Sequence, residues 1–357
     1  MDWLQLSRTP RVGPVTFYQL LAQFGSAAEA LRVLPKILPP GTVPKIPDRT
    51  DIAREWDLIS NYGADLIRSD DPRYPTMLSH LPAPPPTLSC LGSIELAQRR
   101  CVAIVGARQA SAAGRKLARD IADDLSDAGF VIVSGLARGI DGEAHSASLD
   151  GGTIAVLGGG VDHIYPRQHA ALYREIARQG LLLSENPFGY RAKANDFPRR
   201  NRIVTGLAEG VVLIEAAERS GSLISARTAL EQNRDVFAVP GSPLDPRYAG
   251  TNRLLRDGAT LVRNADDVIA ALSRPETRRL EAPNRERFGP PQTPATPIPE
   301  EQIDAVLSAL GPTPTLIDDI ARAADVGIDR CRVILVELEL QGRALTYSGG
   351  LAARKFD

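Results

Sequence analysis

Cysteine and histidine are scarce in this sequence, and their scarcity argues against several classes of protein. The three cysteines, Cys90, Cys101 and Cys331, are odd in number and lack the spacing of metal ligands. They argue against a disulfide framework and favour a reducing compartment. The four histidines form no HxxxH or HExxH pair. We therefore predict that the protein holds no metal ion.

Excess charge and long hydrophobic runs are also missing. The 42 Lys and Arg residues nearly balance the 43 Asp and Glu residues, and the resulting net charge of −1 excludes a histone-like mode of DNA binding. No apolar run approaches the ~20 residues that span a bilayer. The first residues lack the pattern of a signal peptide. We expect a cytoplasmic protein without a membrane partner, and the 357 residues suit about two or three domains.

Motifs that signal catalysis are few. The sequence has no GxxxxGK[ST] phosphate loop and no GxSxG nucleophile elbow. His145 follows Asp141 in the run GIDGEAH and could form a catalytic pair with it. The simpler interpretation, which we favour, is a histidine that holds a loop by hydrogen bonds. We predict no catalytic residue.

Alternating strands and helices dominate the middle of the chain. Near-continuous Val, Ile and Leu runs, typical of strands buried on both faces, occur at 101–107, 130–137, 153–160, 181–186, 210–217 and 236–242. Helix-like segments separate several of these runs, as in parallel βαβ units. The pattern predicts a doubly wound, mostly parallel α/β sheet of about six or seven strands.

Proline-dense stretches divide the chain. They predict a small helical domain over 1–80, an α/β domain over 81–274, a Pro-rich linker over 275–300 and a C-terminal domain over 301–357. The N-terminal domain resembles a helix-hairpin-helix module. A packing or interaction role is the simpler interpretation, and contact with the DNA backbone is the alternative.

The C-terminal domain has the three helices and strand pair of a winged helix. Residues 301–357 contain 6 Lys and Arg but 9 Asp and Glu. Because a duplex reader needs a basic surface, this balance favours a protein-binding or regulatory role.

Glycine, serine and arginine follow several of the predicted strands. Because ligands bind at the carboxyl ends of parallel strands, these residues are candidates for binding a phosphate-bearing ligand. After the first strand, Gly106 and Arg108 precede a helix whose N-terminal N–H groups are expected to be free for an anion. No GxGxxG motif is present, so we predict no dinucleotide and no other cofactor. Further candidates follow the second and fifth strands: Ser134, Gly135, Arg138, Ser220, Gly221 and Ser222.

The segment 188–207 is the most unusual part of the sequence. It carries five basic residues against the single acidic residue Asp196, with aromatic residues between them. Basic residues that follow a backbone, combined with aromatic faces for stacking, are typical of single-stranded nucleic-acid binding. We interpret Phe197 as lying on an extended segment, with burial as a loop anchor as the alternative.

Several motifs together resemble one known family. AIVGAR (103–108), SGLARGIDGEAH (134–145), TIAVLGGGVDHIYP (153–166) and FPRRNRIVTGL (197–207) are similar to the DNA-processing protein DprA family, also called Smf. The resemblance implies an extended Rossmann-like domain that binds single-stranded DNA, flanked by the small helical domain and the winged-helix domain. It also implies a homodimer formed through the α/β domain.

The family resemblance implies a function without catalysis: protecting incoming DNA and loading the RecA recombinase during natural transformation. The DNA pocket it implies takes in Gly106, Arg108, Lys193, Phe197, Arg199, Asn201 and Arg202, to which we add Arg200 and the strand-end candidates. A Rossmann-like nucleotide enzyme of the phosphoribohydrolase type is the alternative. Against it, SGS stands where those enzymes have a longer glycine loop, and no Glu follows in the first helical turn.

Overall fold

The computed structural model describes residues 1–37, 45–273, 299–347 and 350–355. These residues form two compact units. The larger unit takes in 55–81 and 87–273, and the smaller unit takes in the other described residues. The predicted linker, 275–300, lies outside the described residues apart from its last two positions.

A nine-stranded sheet forms the larger unit. Its strands are β1 (Asp65–Arg68), β2 (Thr87–Gly92), β3 (Cys101–Val105), β4 (Val131–Ser134), β5 (Thr153–Val156), β6 (Leu181–Ser184), β7 (Gly210–Leu213), β8 (Asp235–Ala238) and β9 (Thr260–Leu261). Their order is β1-β2-β6-β5-β4-β3-β7-β8-β9. Neighbours from β6 to β9 are parallel, whereas β1 and β2 extend the sheet in antiparallel pairing. The predicted mostly parallel α/β fold is confirmed.

Helices connect most of these strands and form the smaller unit. They are α1 (Asp2–Ser7), α2 (Pro14–Phe24), α3 (Ala27–Ile37), α4 (Arg49–Asn61), α5 (Thr76–Ser79), α6 (Ala112–Asp127), α7 (Ile140–Ala147), α8 (Ala170–Gln179), α9 (Asp196–Leu207), α10 (Ser222–Glu231), α11 (Ala249–Arg256), α12 (Ala265–Leu272), α13 (Glu300–Ala309), α14 (Ile317–Ala323) and α15 (Ile328–Leu340).

Strand β3 illustrates why the apolar runs form central strands. Cys101, Ala103 and Val105 pack into one hydrophobic cluster, while Val102 and Ile104 pack into another. Because successive side chains of a strand point to opposite faces, both faces of the sheet are buried. Helices on each face complete the three-layer arrangement expected of a doubly wound fold.

The order of the strands reverses at β3. Strands β4, β5 and β6 follow on one side of β3, whereas β7, β8 and β9 follow on the other. In open α/β sheets, the carboxyl ends of the strands at such a reversal are where ligands bind. The loops after β3 and its neighbours therefore form the candidate ligand-binding edge of the sheet.

Three strands of the sheet, β1, β2 and β9, were not predicted from the sequence, so the sheet has nine strands where six or seven were expected. β1 lies within the range predicted as a helical domain, 1–80, and pairs with β2. β2 begins directly after the proline-dense stretch 82–86 and contains Ser89 and Cys90, so it lacks the continuous aliphatic run of the central strands. Antiparallel pairing at the edge of a sheet does not require such a run.

The interpretation of 188–207 as extended is wrong for its second half, which forms α9. Pro198 lies in the first turn of this helix, where the missing N–H of proline does no harm. Ile203, Val204 and Leu207 then pack into the core with helical spacing. The density of basic residues concealed this periodicity, and Phe197 consequently lies in the first helical turn.

The smaller unit joins helices from both ends of the chain. Its C-terminal part consists of α13, α14 and α15 with the strands β10 (Thr315–Leu316), β11 (Ala344–Tyr347) and β12 (Leu351–Arg354). This is the predicted winged helix. On α15, Val336 is buried in the cluster that contains Phe17 and Leu20 of α2. Thr16 of α2 also donates a hydrogen bond to Glu339 of α15 at 3.1 Å.

Candidate nucleic-acid interface

The helix that follows β3 does not offer its N-terminus to an anion. Ser111 caps α6 by accepting a hydrogen bond from the Gly114 N–H at 2.9 Å. The Glu215 carboxylate, which is fully buried after β7, accepts bonds from the Ser111 N–H at 3.0 Å and from the Ser111 hydroxyl. A side chain at Gly114 would collide with this carboxylate. The expected free anion site is therefore filled by the protein itself, and a nucleotide phosphate would have to displace a buried carboxylate.

An aromatic row lies beside this turn; we use the term for Tyr165 and Phe197 with the guanidinium of Arg108. The Arg108 guanidinium carbon lies 5.4 Å from the centroid of the Phe197 ring. On its other side, the Phe197 ring centroid is 5.4 Å from that of Tyr165, and the two rings are inclined by 40°. These distances are within the range of cation–π and aromatic contacts. The row brings together the loops after β3 and β5 and the start of α9.

Phe197 is half-buried, which is compatible both with a role as a loop anchor and with base stacking. Its ring approaches the backbone closely at Gly158, where an added Cβ would lie 3.1 Å from the ring. The loop after β5 therefore packs against one edge of the ring. The Arg108 and Tyr165 side chains, which contact the Phe197 ring elsewhere, are both exposed.

Several exposed basic residues around the row have no carboxylate partner within the described part of the chain. We call them the open cations: Arg108, Arg138, Arg191, Lys193 and Arg199. Elsewhere in the same unit some exposed arginines are paired, as Arg100 is with Glu209 at 2.7 Å, while others, such as Arg174 and Arg227, have no ion pair among the described residues. Unpaired exposed cations concentrated at one edge produce the local positive field that an anionic backbone requires.

Asp196 shapes the loop that carries Lys193. Its buried carboxylate accepts hydrogen bonds from the Lys193 N–H at 2.7 Å and from the Tyr190 hydroxyl at 2.9 Å. Burial and this bond to Asp196 raise the pKa of Tyr190. The single acidic residue of the basic segment thus forms hydrogen bonds within its own loop, and the Lys193 side chain remains exposed.

Arg200 was predicted to contact DNA, but it is buried. Its guanidinium donates to the carbonyl oxygens of Gly135, at 2.8 Å, and Val156. A side chain at position 135 would overlap the Arg200 guanidinium, so glycine there makes room for the arginine. Ser134 is buried too, and its hydroxyl donates to the Ile104 carbonyl at 2.6 Å. Arg200 and Ser134 are therefore buried where β4 meets its following loop and are not presented to a ligand. Gly135 is half-buried, and its role as a DNA ligand stays a prediction.

The charge of Arg200 is balanced by Asp141. Burial lowers the pKa of Arg200 to about 10, while Asp141 opposes that shift. Burial likewise raises the pKa of Asp141, and Arg200 opposes it. The Asp141 carboxylate also accepts the N–H groups of Gly135 and Ala137 at 3.2 and 3.4 Å. The pair stabilises the same loop from two sides, because each buried charge depends on the other.

Arg202 and Asn201 are also less available than predicted. Arg202 forms an ion pair with Glu185, which follows β6, and both side chains are largely buried. The Asn201 side-chain oxygen accepts a bond from the Arg200 guanidinium at 3.3 Å. These partners come from other parts of the sequence, so the basic appearance of the segment overstated the charge that faces solvent.

His145 holds the loop after β4 by hydrogen bonds, which is the interpretation that the sequence favoured. Its Nε2 accepts a hydrogen bond from the Leu136 N–H at 3.3 Å, and its Nδ1 lies 2.7 Å from the Thr153 hydroxyl. Leu136 has a φ of 55°, a conformation that costs energy for a residue with a side chain. Burial, with smaller effects from His169 and Arg200, lowers the pKa of His145 to about 3. The imidazole is therefore a neutral hydrogen-bonding group.

The loop before α10 carries the remaining predicted residues. The Ser220 hydroxyl lies 2.6 Å from the Ser222 hydroxyl, and Gly221 precedes the first residue of α10. The two hydroxyls bond to each other at the start of this helix. Their role as DNA ligands, with that of Gly221, stays a prediction.

A polar cavity of about 570 Å³ opens next to the Arg108 end of the row. Arg108 and Arg138 line it, together with Arg115, Gln168 and His169. Its acidic lining residue, Glu143, is paired with Arg119 at 2.5 Å. The cavity therefore keeps two open cations facing its interior. Among the described residues, no group of three or more His, Cys, Asp or Glu side chains is placed to hold a metal ion.

Two residues of the interface were not found from the sequence. Tyr165 completes the aromatic row, and its position directly before Pro166 at the end of the strand-end run 153–166 was the only available signal. Glu215, buried after β7, had no signal at all, because its partner Ser111 lies 104 residues away. No described helix is long and apolar enough to span a membrane.

Comparisons with known families match all three parts of the chain. The family model for "DNA recombination-mediator protein A" matches residues 65–273. Models for a DprA-like N-terminal HHH domain and for a DprA winged helix domain match 1–57 and 290–350.

Individual relatives are similar over most of their length. Protein Smf of Synechocystis is 33% identical over 95% of both chains. Protein Smf of Escherichia coli is 39% identical over 80% of this chain and 76% of its own length. DNA processing protein DprA of Bacillus subtilis is 42% identical over 59% of this chain and 72% of its own length.

Two solved structures share the fold at 32% sequence identity. DNA processing protein A of Streptococcus pneumoniae aligns over 76% of this chain and 97% of its own with a TM-score of 0.64. That of Helicobacter pylori, described for its single-stranded DNA binding mode, aligns over 58% of this chain and 95% of its own with a TM-score of 0.54.

Proposed function

We propose, for a chain that belongs to the DprA (Smf) family of DNA-processing proteins, that it binds single-stranded DNA at the carboxyl edge of its sheet. The observation that carries this proposal is the aromatic row with the open cations around it. The description of the Helicobacter pylori relative as a single-stranded DNA binder supports it.

The chemistry of the edge favours a single strand over a duplex. Every base has an aromatic face, so a base can stack on Phe197 whatever the sequence. In a duplex these faces are covered by neighbouring bases and cannot reach the ring. Arg108 and Lys193 hold phosphates without reading sequence, since a phosphate contact carries no sequence information.

The proposed function extends to recombination. By resemblance to its family, the protein protects incoming DNA and loads the RecA recombinase during natural transformation, as a cytoplasmic homodimer joined through the α/β domain. It acts by binding and needs no catalytic step. Recombinase loading is tested by RecA-driven strand exchange on DNA covered by single-strand-binding protein. The homodimer is tested separately, by sedimentation of the free protein.

Fluorescence anisotropy with labelled oligonucleotides tests the binding itself. The wild-type protein is titrated with a thymidine oligonucleotide and with a blunt duplex of equal length, over a series of salt concentrations. We expect the single strand to bind much more tightly at every salt concentration. Equal affinities for the two at moderate salt would contradict the proposal.

A further inference from the structure

The aromatic row extends beyond the residue that the sequence singled out. Tyr165 is 47% exposed although it is a large aromatic side chain. Its hydroxyl has no hydrogen-bond partner among the described residues, and its ring contacts Phe197 with centroids 5.4 Å apart. A ring exposed in this way contributes little to the core, because about half of its surface remains in water.

A second cavity, of about 490 Å³, adjoins the loop that carries Tyr165. Its lining consists of His163, Ile164, Arg167, Ala170 and Arg191. Arg167 and Arg191 are exposed and have no carboxylate partner in the described ranges of the chain. The cavity therefore combines two free guanidinium groups with apolar lining atoms, beside an exposed aromatic ring. A nucleotide is complementary to this combination, because its phosphate is anionic and its base has an aromatic face.

The two cavities share the turn that follows Tyr165: Gln168 and His169 line the first, and Arg167 and Ala170 line the second. Arg108 contacts Phe197 and lines the first cavity, while Tyr165 contacts Phe197 and lies on the loop that also supplies His163, Ile164 and Arg167 to the second. Two cavities with cationic lining therefore accompany the two adjoining aromatic rings. A strand whose bases stack on the rings has cations beside it for its phosphates.

We propose that Tyr165 is a second base-stacking residue and that the cavity lined by Arg167 and Arg191 holds the phosphate of the nucleotide on it. This inference rests on the proposed function, because it assigns the neighbouring nucleotide of the same single strand. The rings are inclined by 40° and their centroids are closer than the thickness of an inserted base would allow. The two bases therefore lie on separate rings, splayed apart, and are not sandwiched between them.

The test measures single-strand affinity and its salt dependence for variants of Tyr165, Arg167 and Arg191 in the full chain. Tyr165→Ala and Tyr165→Leu both remove the aromatic face, and each is expected to weaken binding roughly tenfold or more while leaving the salt slope unchanged. Tyr165→Phe keeps the face and is expected to restore most of the affinity. Arg167→Ala and Arg191→Ala are each expected to lower the salt slope by about 0.7.

Matched controls separate this site from general effects. Tyr347 is 42% exposed and lies on β11 of the winged helix, so Tyr347→Ala is expected to bind like the wild type. Arg253, an exposed residue of α11, provides the corresponding arginine control. Thermal melts check that the Tyr165 variants remain folded.

The outcomes distinguish this inference from the proposed function. If Phe197→Ala weakens binding but Tyr165→Leu binds like the wild type, the second stacking residue is disproved while the proposed function stands. If the Arg167 and Arg191 variants keep the wild-type slope, the phosphate site is disproved. If the wild-type protein itself does not prefer a single strand, the proposed function and this inference fall together.

Discussion

Two regions of this molecule have folds that often bind nucleic acid, yet their surfaces differ. At the carboxyl edge of the sheet, exposed cations have no carboxylate partners in the described part of the chain. In the winged helix, Arg322 pairs with Asp319 at 2.8 Å and Arg332 lies 3.6 Å from Asp329. The named arginines of the winged helix are therefore offset by neighbouring carboxylates, whereas the edge of the sheet keeps cations without such partners.

The third helix of the winged helix differs from the edge in accessibility as well. Val336 of α15 is buried in the core of the N-terminal helices, and Glu339 accepts bonds from Thr16 and from Thr346. Burial raises the pKa of Glu337 on the same helix. Because a duplex reader must place this helix in the major groove, its packing against α2 argues against duplex reading by α15.

Neighbouring arginines of α9 provide the largest expected difference. Arg200→Ala removes a buried cation and leaves Asp141 without its partner, so the free energy of unfolding is expected to fall by about 3 kcal/mol. Arg199→Ala, one residue away and exposed, is expected to change it by less than about 0.5 kcal/mol and to weaken DNA binding instead. Denaturant unfolding and anisotropy on both variants measure these effects. Equal stability of the two would contradict the structural role of Arg200.

The next largest effect is expected at Phe197. Phe197→Ala should weaken single-strand binding by about 1–3 kcal/mol, the contribution of one base–aromatic stack. The salt slope should stay nearly unchanged, because a phenyl ring displaces no counterion. A thermal melt decides between stacking and anchoring: a large fall in melting temperature together with the lost binding would identify Phe197 as a loop anchor.

A smaller effect is expected at Arg202, because Glu185 already pairs with it. Arg202→Ala should reduce the salt slope by less than the ~0.7 of a full phosphate contact. Glu185→Gln removes the opposing charge of the pair and should increase the slope. Salt titrations of both variants measure this, and a full-contact loss in Arg202→Ala would mean that DNA displaces Glu185.

The smallest effect on DNA binding is expected in the winged helix. Val336→Asp places a charge in an apolar core and should destabilise the smaller unit. We expect single-strand affinity to stay within about twofold of the wild type, because the open cations are untouched. Anisotropy beside a thermal melt provides the measurement. A loss of binding without any loss of folding would give α15 a direct role at the DNA.

These contrasts also explain what could be predicted from the sequence. The central strands were predicted because their aliphatic runs reflect burial on both faces, which is a local property. Arg108 was predicted because it directly follows a strand, and strand ends converge by topology. Gly135 and Val156, which bond Arg200, and Glu185, which pairs with Arg202, are remote in sequence, so the burial of these arginines had no local signal.

Charge density misled the prediction in the same segment. Five basic residues within 188–207 indicated a binding surface, and three of them, Arg191, Lys193 and Arg199, are exposed and unpaired in the described structure. The other two support the fold. Secondary structure failed there for a related reason, since the apolar face of α9 begins only at Ile203, after the arginines.

One measurement tests the contrast between the two regions most directly. The salt dependence of single-strand binding is determined side by side for the wild type, Arg108→Ala at the edge and Arg332→Ala on the winged helix. The account predicts a slope shallower by about 0.7 for Arg108→Ala, with affinity lost alike for all sequences, and an unchanged slope for Arg332→Ala. An unchanged slope for Arg108→Ala, with a shallower one for Arg332→Ala, would contradict it.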